Sequence, residues 1–185
     1  AGAGLADPGI VLNRYALPGA IDTPSAEMMP DGTLGAVLGY SGVGGNGVGV
    51  SFQVLPRVSA VLRYGKFDNE AMAHGYTRER SFDLRLQLLT EDPDGWRPSV
   101  AVGLQDFIGT GYYSSEYIVA TRNVTPRLRV SAGLGWGRLA SSGGIGSLIG
   151  NRGEPDAAEG GRLNTDQWFR GETAPFANIV WQATD

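Results

Sequence analysis

A chain of 185 residues is long enough for one domain with a real core or for one small barrel, and its net charge of −4, scattered along the sequence, excludes a nucleic-acid surface. With no cysteine and a single histidine, His74, it has neither a disulfide framework nor the makings of a thiolate or multi-imidazole metal site. No run approaches the ~20 apolar residues of a membrane helix, so any membrane span would have to be built of strands.

Residues 1–32 show no sustained period. The chain opens "AGAGLADPG" without a methionine, as in a processed mature chain or a trimmed one. "NRYALPGAIDTPSAEMMPDG" is punctuated by Pro18, Pro24, Pro30 and Gly32 and reads as irregular backbone with turns. From residue 33 to the end, the pattern is that of strands.

Two-residue alternation begins at "TLGAVLGY", with Leu34, Ala36, Leu38 and Tyr40 on one face and Gly35, Val37 and Gly39 on the other. After "SGVGGN", the run "GVGVSFQVL" sets Val48, Val50, Phe52 and Val54 against Gly47, Gly49, Ser51 and Gln53. A tight "PR" leads to "VSAVLRY", with Val58, Ala60, Leu62 and Tyr64 opposite Ser59, Val61 and Arg63. "RSFDLRLQLLTED", residues 80–92, is the cleanest strand: Phe82, Leu84, Leu86 and Leu88 face one way and Ser81, Asp83, Arg85 and Gln87 the other. "SVAVGLQ" opposes Val100, Val102 and Leu104 to Ala101, Gly103 and Gln105. "SEYIVATR" has the least distinct faces, Tyr117, Val119 and Thr121 against Glu116, Ile118, Ala120 and Arg122. "RLRVSAGLGWGR" returns to form with Leu128, Val130, Ala132, Leu134 and Trp136 against Arg129, Ser131, Gly133 and Gly135. "FANIVWQA" closes the series, Ile179, Trp181 and Ala183 opposite Asn178, Val180 and Gln182. About eight strands and no helical period define an all-β chain.

Such strands serve a soluble sheet or a membrane barrel equally well; the connections separate the two. "PR" and "NVTP" alternate with the longer 66–80 and 139–174, so one end carries tight turns and the other long loops, with 90–97 and 107–114 the weak contrast. That segregation is a property of up-and-down outer-membrane barrels, which have short periplasmic turns and long outer loops. The expected fold is therefore an antiparallel up-and-down transmembrane β-barrel over residues 33–185, with 66–80 and 139–174 outside the cell. Tyr40, Tyr64, Tyr117, Trp136 and Trp181 fall near strand ends on the apolar face, as lipid-interface aromatics do. Gln53, Arg63, Asp83, Arg85, Gln105, Glu116, Arg122 and Arg129 are then the lumen-facing polar residues. As the outside of a soluble barrel, that face would be poor in lysine and glutamate, since Lys66 is the only lysine. As a lumen lining it allows charges of both signs to pair.

Glycine, at 29 residues, is about twice its usual ~7%. Gly35, Gly39, Gly47, Gly49, Gly103, Gly133 and Gly135 all fall on the lumen face, and a barrel of about eight strands is only wide enough for its own side chains. Voids left by glycine need filling. Residues 10–30, whose Ile10, Val11, Leu12, Tyr15, Leu17, Met28 and Met29 have no strand face, are expected to pack into or across the periplasmic mouth as a plug. The alternative is a wider barrel completed by strands beyond Asp185.

Several runs resemble the YjbH/GfcD family of outer-membrane proteins of exopolysaccharide and capsule production: "TPSAEMMPDGTL" at 23–34, "FDLRLQLL" at 82–89, "SVAVGLQDFIGTGYYSSEYIVATR" at 99–122 and "GLGWGRL" at 133–139. The resemblance implies a barrel of the bacterial outer membrane, in contact with its lipid. It would help export or assemble a surface polysaccharide alongside periplasmic and lipoprotein partners of the same export system. Members of that family are longer, and the chain stops at "WQATD" without the terminal aromatic of a complete barrel, so a fragment is expected. The competing readings are a generic outer-membrane pore or structural barrel and a soluble β-rich binding module.

No catalytic, cofactor or metal assignment emerges. His74 sits in a loop near Asp68 and Glu70 but lacks an evident nucleophile. "EDPDG" at 91–95 and "DNE" at 68–70 offer carboxylates to calcium yet read as acidic turns. Asp83 and Glu116 could be a glycosidase pair only if held face to face, and ion pairing with Arg63, Arg85 or Arg129 accounts for them more simply. "GVGGNGVGV" joins two strands and opens no helix, so it is not a phosphate loop. The chain is expected not to be an enzyme.

Overall fold

The computed structural model describes residues 9–41, 45–68, 75–111, 113–154, 162–163 and 165–183. His74 and most of "DNE" lie outside them. Eight long strands form one antiparallel meander: β3 (Leu34–Ser41), β4 (Gly45–Leu55), β5 (Val58–Asp68), β6 (Tyr76–Leu89), β7 (Ser99–Gly109), β8 (Ser115–Thr125), β9 (Leu128–Trp136) and β11 (Thr173–Trp181). They are numbered after a two-residue hairpin, β1 (Gly19–Ala20) with β2 (Thr23–Pro24). Ahead of β11, the two-residue β10 (Arg162–Leu163) pairs with the far end of β7. The sheet is curled into a half-barrel. Each of the eight long strands hydrogen-bonds the next long strand in sequence, the order expected of consecutive strands joined without crossing connections.

All eight periodic runs are strands, and most extend beyond the alternating residues. The largest difference is at 66–80, expected as a loop. Residues 66–68 and 76–80 are strand, paired through Lys66↔Arg78 and Phe67↔Thr77. Lys66 Nζ lies 4.2 Å from the centre of the Tyr76 ring, a cation–π contact that holds this end of the hairpin together.

The burial pattern is inverted relative to a soluble sheet. Along β6, Ser81, Asp83, Arg85 and Gln87 are buried while Phe82, Leu84, Leu86 and Leu88 are exposed. Arg85 retains 1% of its surface and Leu86, the next residue, 41%. The outer face continues as cross-strand apolar pairs, Leu62 with Phe82, Leu86 with Val102, Val102 with Ile118 and Ile118 with Leu134.

What covers the polar face is residues 9–32. A small apolar cluster forms there, Ala16, Leu17 and Ala26 of the segment against Val61, Ala101, Tyr117 and Val119 of the sheet. The segment is shaped by its own turn chemistry. Asn13 Oδ1 accepts hydrogen bonds from the Tyr15 and Leu17 amides at 2.9 and 3.1 Å, and Leu12 bridges to Pro18. Ala16 at φ 60° and Ile21 at φ 53° are left-handed residues in this tight path.

Of the seven inward glycines, the segment fills the space over two. A Cβ on Gly35 would lie 2.7 Å from Leu12 Cδ1, and one on Gly49 2.7 Å from Ala16 Cβ. Tyr117, Phe176 and Leu139 occupy the space over Gly103, Gly133 and Gly135. Gly39 and Gly47 have only backbone near them.

Candidate functional site: the polar concave face

The sheet presents its charged side chains to residues 9–32, and most are satisfied there. Arg85 donates through Nη2 to the carbonyls of Ser25 and Glu27. On the next inward position of β6, Gln87 Nε2 donates to the Ala26 carbonyl at 2.9 Å. From β8, Thr121 Oγ1 accepts from the Ala26 amide at 2.7 Å and shares a hydrogen bond with Ser131 on β9. Arg129 on β9 forms an ion pair with Glu27, donates to the Gly9 carbonyl at 2.9 Å and to Asn123 Oδ1 at 3.0 Å. Asn178 on β11 reaches Thr23 and Pro24. Four strands thus hold one short stretch, Ser25–Glu27 and its approach, by charge and backbone hydrogen bonds in addition to the apolar contact of Ala26.

Nearer the long-loop end, the same face carries a second group. Arg63 Nη2 donates to Asp83 Oδ1 at 2.7 Å, and the Asp106 amide donates to the same oxygen at 2.8 Å. Gln105 Oε1 accepts from Ser115 Oγ at 2.5 Å and from Arg138 Nη2 at 3.0 Å. Arg138 also stacks on the Tyr15 ring, 3.8 Å from its centre, and Arg63 lies 5.2 Å from that centre. Burial pushes the Arg138 guanidinium below its ordinary value. Asp83 Oδ2, Glu79 Oε1, Asp106 Oδ1 and Arg85 Nη1 have no protein partner among the described residues, although they are buried. Polar atoms of that kind suit a hydrated interior better than a dry core.

The sequence-assigned lumen residues divide accordingly. Gln53, Arg63, Asp83, Arg85, Gln105 and Arg129 lie on the concave face; Gln53 closes the turn below it through Leu55 at 2.7 Å. Glu116 and Arg122 do not: both share the outer face with Ile118. Glu116 is buried there because Arg152 and Phe169, from the connection between β9 and β11, lie against it. Arg152 grips both its carboxylate oxygens, at 2.6 and 3.0 Å, and donates to Ser114 Oγ at 2.6 Å; the Phe169 amide adds a bond at 3.1 Å. Asp83 and Glu116 therefore stand on opposite faces and cannot flank one bond as a glycosidase pair. Arg122 sits at the short-turn end, bonded to the Gly95 and Arg97 carbonyls and 3.8 Å from Glu91.

The aromatics divide as well. Tyr40, Tyr64 and Trp181 are exposed on the outer face. Tyr117 is fully buried on the inner one. It pairs with Gly103 on one side and Gly135 on the other, and Gly103 leaves room for an inward ring that the ambiguous alternation of "SEYIVATR" did not reveal. Trp136 keeps the outward parity of Leu134 but is covered by Phe169, edge to face at 5.2 Å between centres. In the acidic turn "EDPDG", the Asp94 amide closes on Asp92 Oδ1 at 3.2 Å.

Two of these arrangements are directly testable. A Cβ at Gly103 would overlap the Tyr117 ring, which is enclosed and has nowhere to move. Gly103→Val should lower unfolding free energy by ~1–3 kcal/mol. In a Tyr117→Leu background, that added cost should largely vanish; equal costs in both backgrounds would mean that the ring is not the obstacle. Separately, Arg152→Ala should loosen the 139–174 connection, so proteinase K should cut it faster in solubilised protein. Unchanged cleavage would show that Arg152 does not hold it.

A curled antiparallel meander with an apolar exterior, a charged interior and an irregular segment seated inside defines a half-barrel β protein of inside-out polarity. The chain belongs to the YjbH family, described as exopolysaccharide biosynthesis proteins, whose model matches residues 11–185. It is 30% identical to the uncharacterized lipoprotein YjbH of Escherichia coli (strain K12), with 89% of this chain aligned. The chain spans about a quarter of that relative's length, 25%. No solved structure matches it.

Proposed function

We propose that this chain forms wall strands of an outer-membrane β-barrel that takes part, without enzymatic activity, in the export or assembly of a surface exopolysaccharide. The observation that carries the reading is the inverted burial: a leucine-bearing face turned outward and arginines, carboxylates and amides turned in. In water that arrangement forfeits the hydrophobic driving force; in lipid it is the required one. Strand lengths agree, since β4, β5, β7 and β8 have 11 residues each and a tilted membrane strand needs ~9–11. Tyr40 and Tyr64 near the long-loop end and Trp181 at the other suit the two lipid–water boundaries. The exopolysaccharide role comes from the family, and partners would be the periplasmic and lipoprotein components of that export system.

The test has two parts. The full-length protein should stay with outer membranes through alkaline carbonate extraction, and deletion of its gene should abolish surface polysaccharide. Release into the soluble fraction would favour a soluble module whose leucines meet another protein surface. Membrane retention with normal polysaccharide would leave a generic barrel.

A further inference from the structure

We infer that these eight strands are an arc of a barrel with more than eight, completed by further antiparallel strands of the same, longer chain pairing with the open edges of β3 and β11. This deepens the membrane reading and its edge argument rests on it.

The interior supplies the first reason. An eight-stranded barrel is just wide enough for side chains to fill. Here Arg85, Gln53, Gln105, Tyr117 and Arg129 already point inward, and the main chain of residues 9–32 lies across them from Leu12 over β3 to Thr23 beside β11. Closing β3 onto β11 would compress an interior that has to hold both.

The edges supply the second. Thr33 O accepts from the Gln53 amide, so odd residues of β3 turn their backbone to β4. Leu34, Ala36, Leu38 and Tyr40 turn theirs to the open side. The Gln182 amide donates to Arg127 O, so even residues of β11 face β9 and Ala177, Ile179 and Trp181 face away from it. At the top of that edge, Thr173 is already paired with the 145–146 backbone and Pro175 has no donor to offer. In lipid, the remaining groups must find partners. The outer side chains of the two edge strands are also the barest of the sheet: Leu38 is 83% and Ile179 66% exposed. A further strand on each side would cover them.

The occupant follows from topology and length. Every strand of the meander pairs with its sequence neighbours, and the related lipoprotein has about three times this chain's length again outside the match. Both β3 and β11 have their outer termini at the short-turn end, so added hairpins keep the strand count even.

The full-length protein in membranes provides the test, by peptide-level hydrogen exchange and by Ala36→Cys combined in turn with Ala177→Cys and Ile179→Cys. The proposal expects the amides of Ala36, Leu38, Ile179 and Trp181 to exchange as slowly as those of β6, with no disulfide between the paired cysteines. Fast exchange at these edges would overturn it. Slow exchange with an intramolecular disulfide would mean closure at eight strands, and an intermolecular disulfide would make a second copy the partner; either overturns it. Leu84→Cys, at mid-strand on the outer face, keeps the membrane reading separate. Its modification by a water-soluble maleimide in the same membranes would refute lipid contact, whatever the edges show.

Discussion

Leu84→Arg should destabilise the protein by ~2–4 kcal/mol when refolded into vesicles, the cost of an arginine on the lipid face near the bilayer midplane. Leu84 lies near the middle of β6, opposite Ala60 on β5 and Leu104 at the centre of β7, and is 41% exposed. The cost should shrink toward the ends of the strands, so Leu88→Arg, at the short-turn end of β6, should cost less. A sheet whose leucines merely faced water would respond differently. There, an exposed leucine replaced by arginine changes stability within ~0.5 kcal/mol. Urea unfolding from vesicles distinguishes the two, and a depth-independent result near zero would exclude lipid contact.

The strands were legible because β structure with one solvent of each kind writes itself as alternation. "RSFDLRLQLL" assigns Ser81 through Leu88 of β6 each to the face where it is found. Alternation alone could not say which face is outside, because lipid and a protein core both accept leucine; unequal loops and the scarcity of lysine carried that step. Alternation is silent where both faces of a strand are of mixed character. In β8, Tyr117 and Thr121 alternate with Ile118 and Ala120, and neither set is plainly apolar. The glycines opposite Tyr117 were visible, but the rung that places Gly103 and Gly135 beside it is a long-range fact.

Side chains held by residues far away in sequence were equally hidden. Glu116 reads as an inward charge until the 139–174 connection brings Arg152 to it from outside, 36 residues away. Trp136 reads as a lipid anchor until Phe169 covers it. The clamp on Ser25–Glu27 has no local signal either: Arg85 and Gln87 are ordinary inward residues of a strand, and their acceptors are main-chain carbonyls, whose positions no residue type announces. What the sequence did suggest was a deficit, a glycine-lined face beside a stretch with apolar residues and no face of its own. Leu12 over Gly35 and Ala16 over Gly49 are the places where those two halves meet.

Arg85→Ala, one residue from Leu84 and on the other face, should be about as damaging for the opposite reason. Its guanidinium is buried and serves two backbone carbonyls, of Ser25 and Glu27. The buried Ser25 carbonyl deprived of its donor costs about 1–3 kcal/mol and the half-buried Glu27 carbonyl less, so the pair accounts for roughly 2–4 kcal/mol before any cavity is counted. The loss should also appear locally. With Gln87, Thr121, Arg129 and Asn178 and the small apolar cluster left to hold the segment, residues 9–32 should loosen from the sheet, and trypsin should cut at the exposed Arg14 faster while the strands stay resistant. Arg85→Lys should fall between, since one nitrogen, Nη2, serves both carbonyls and an ammonium can donate to both, but lysine is the more strongly hydrated cation and costs more to bury. Adding Gln87→Ala to Arg85→Ala should cost less than the sum of the single changes, because a detached segment has no further bond to lose. Additive costs with unchanged cleavage at Arg14 would show that the arginine stabilises the sheet itself and that residues 9–32 are held by their apolar cluster alone.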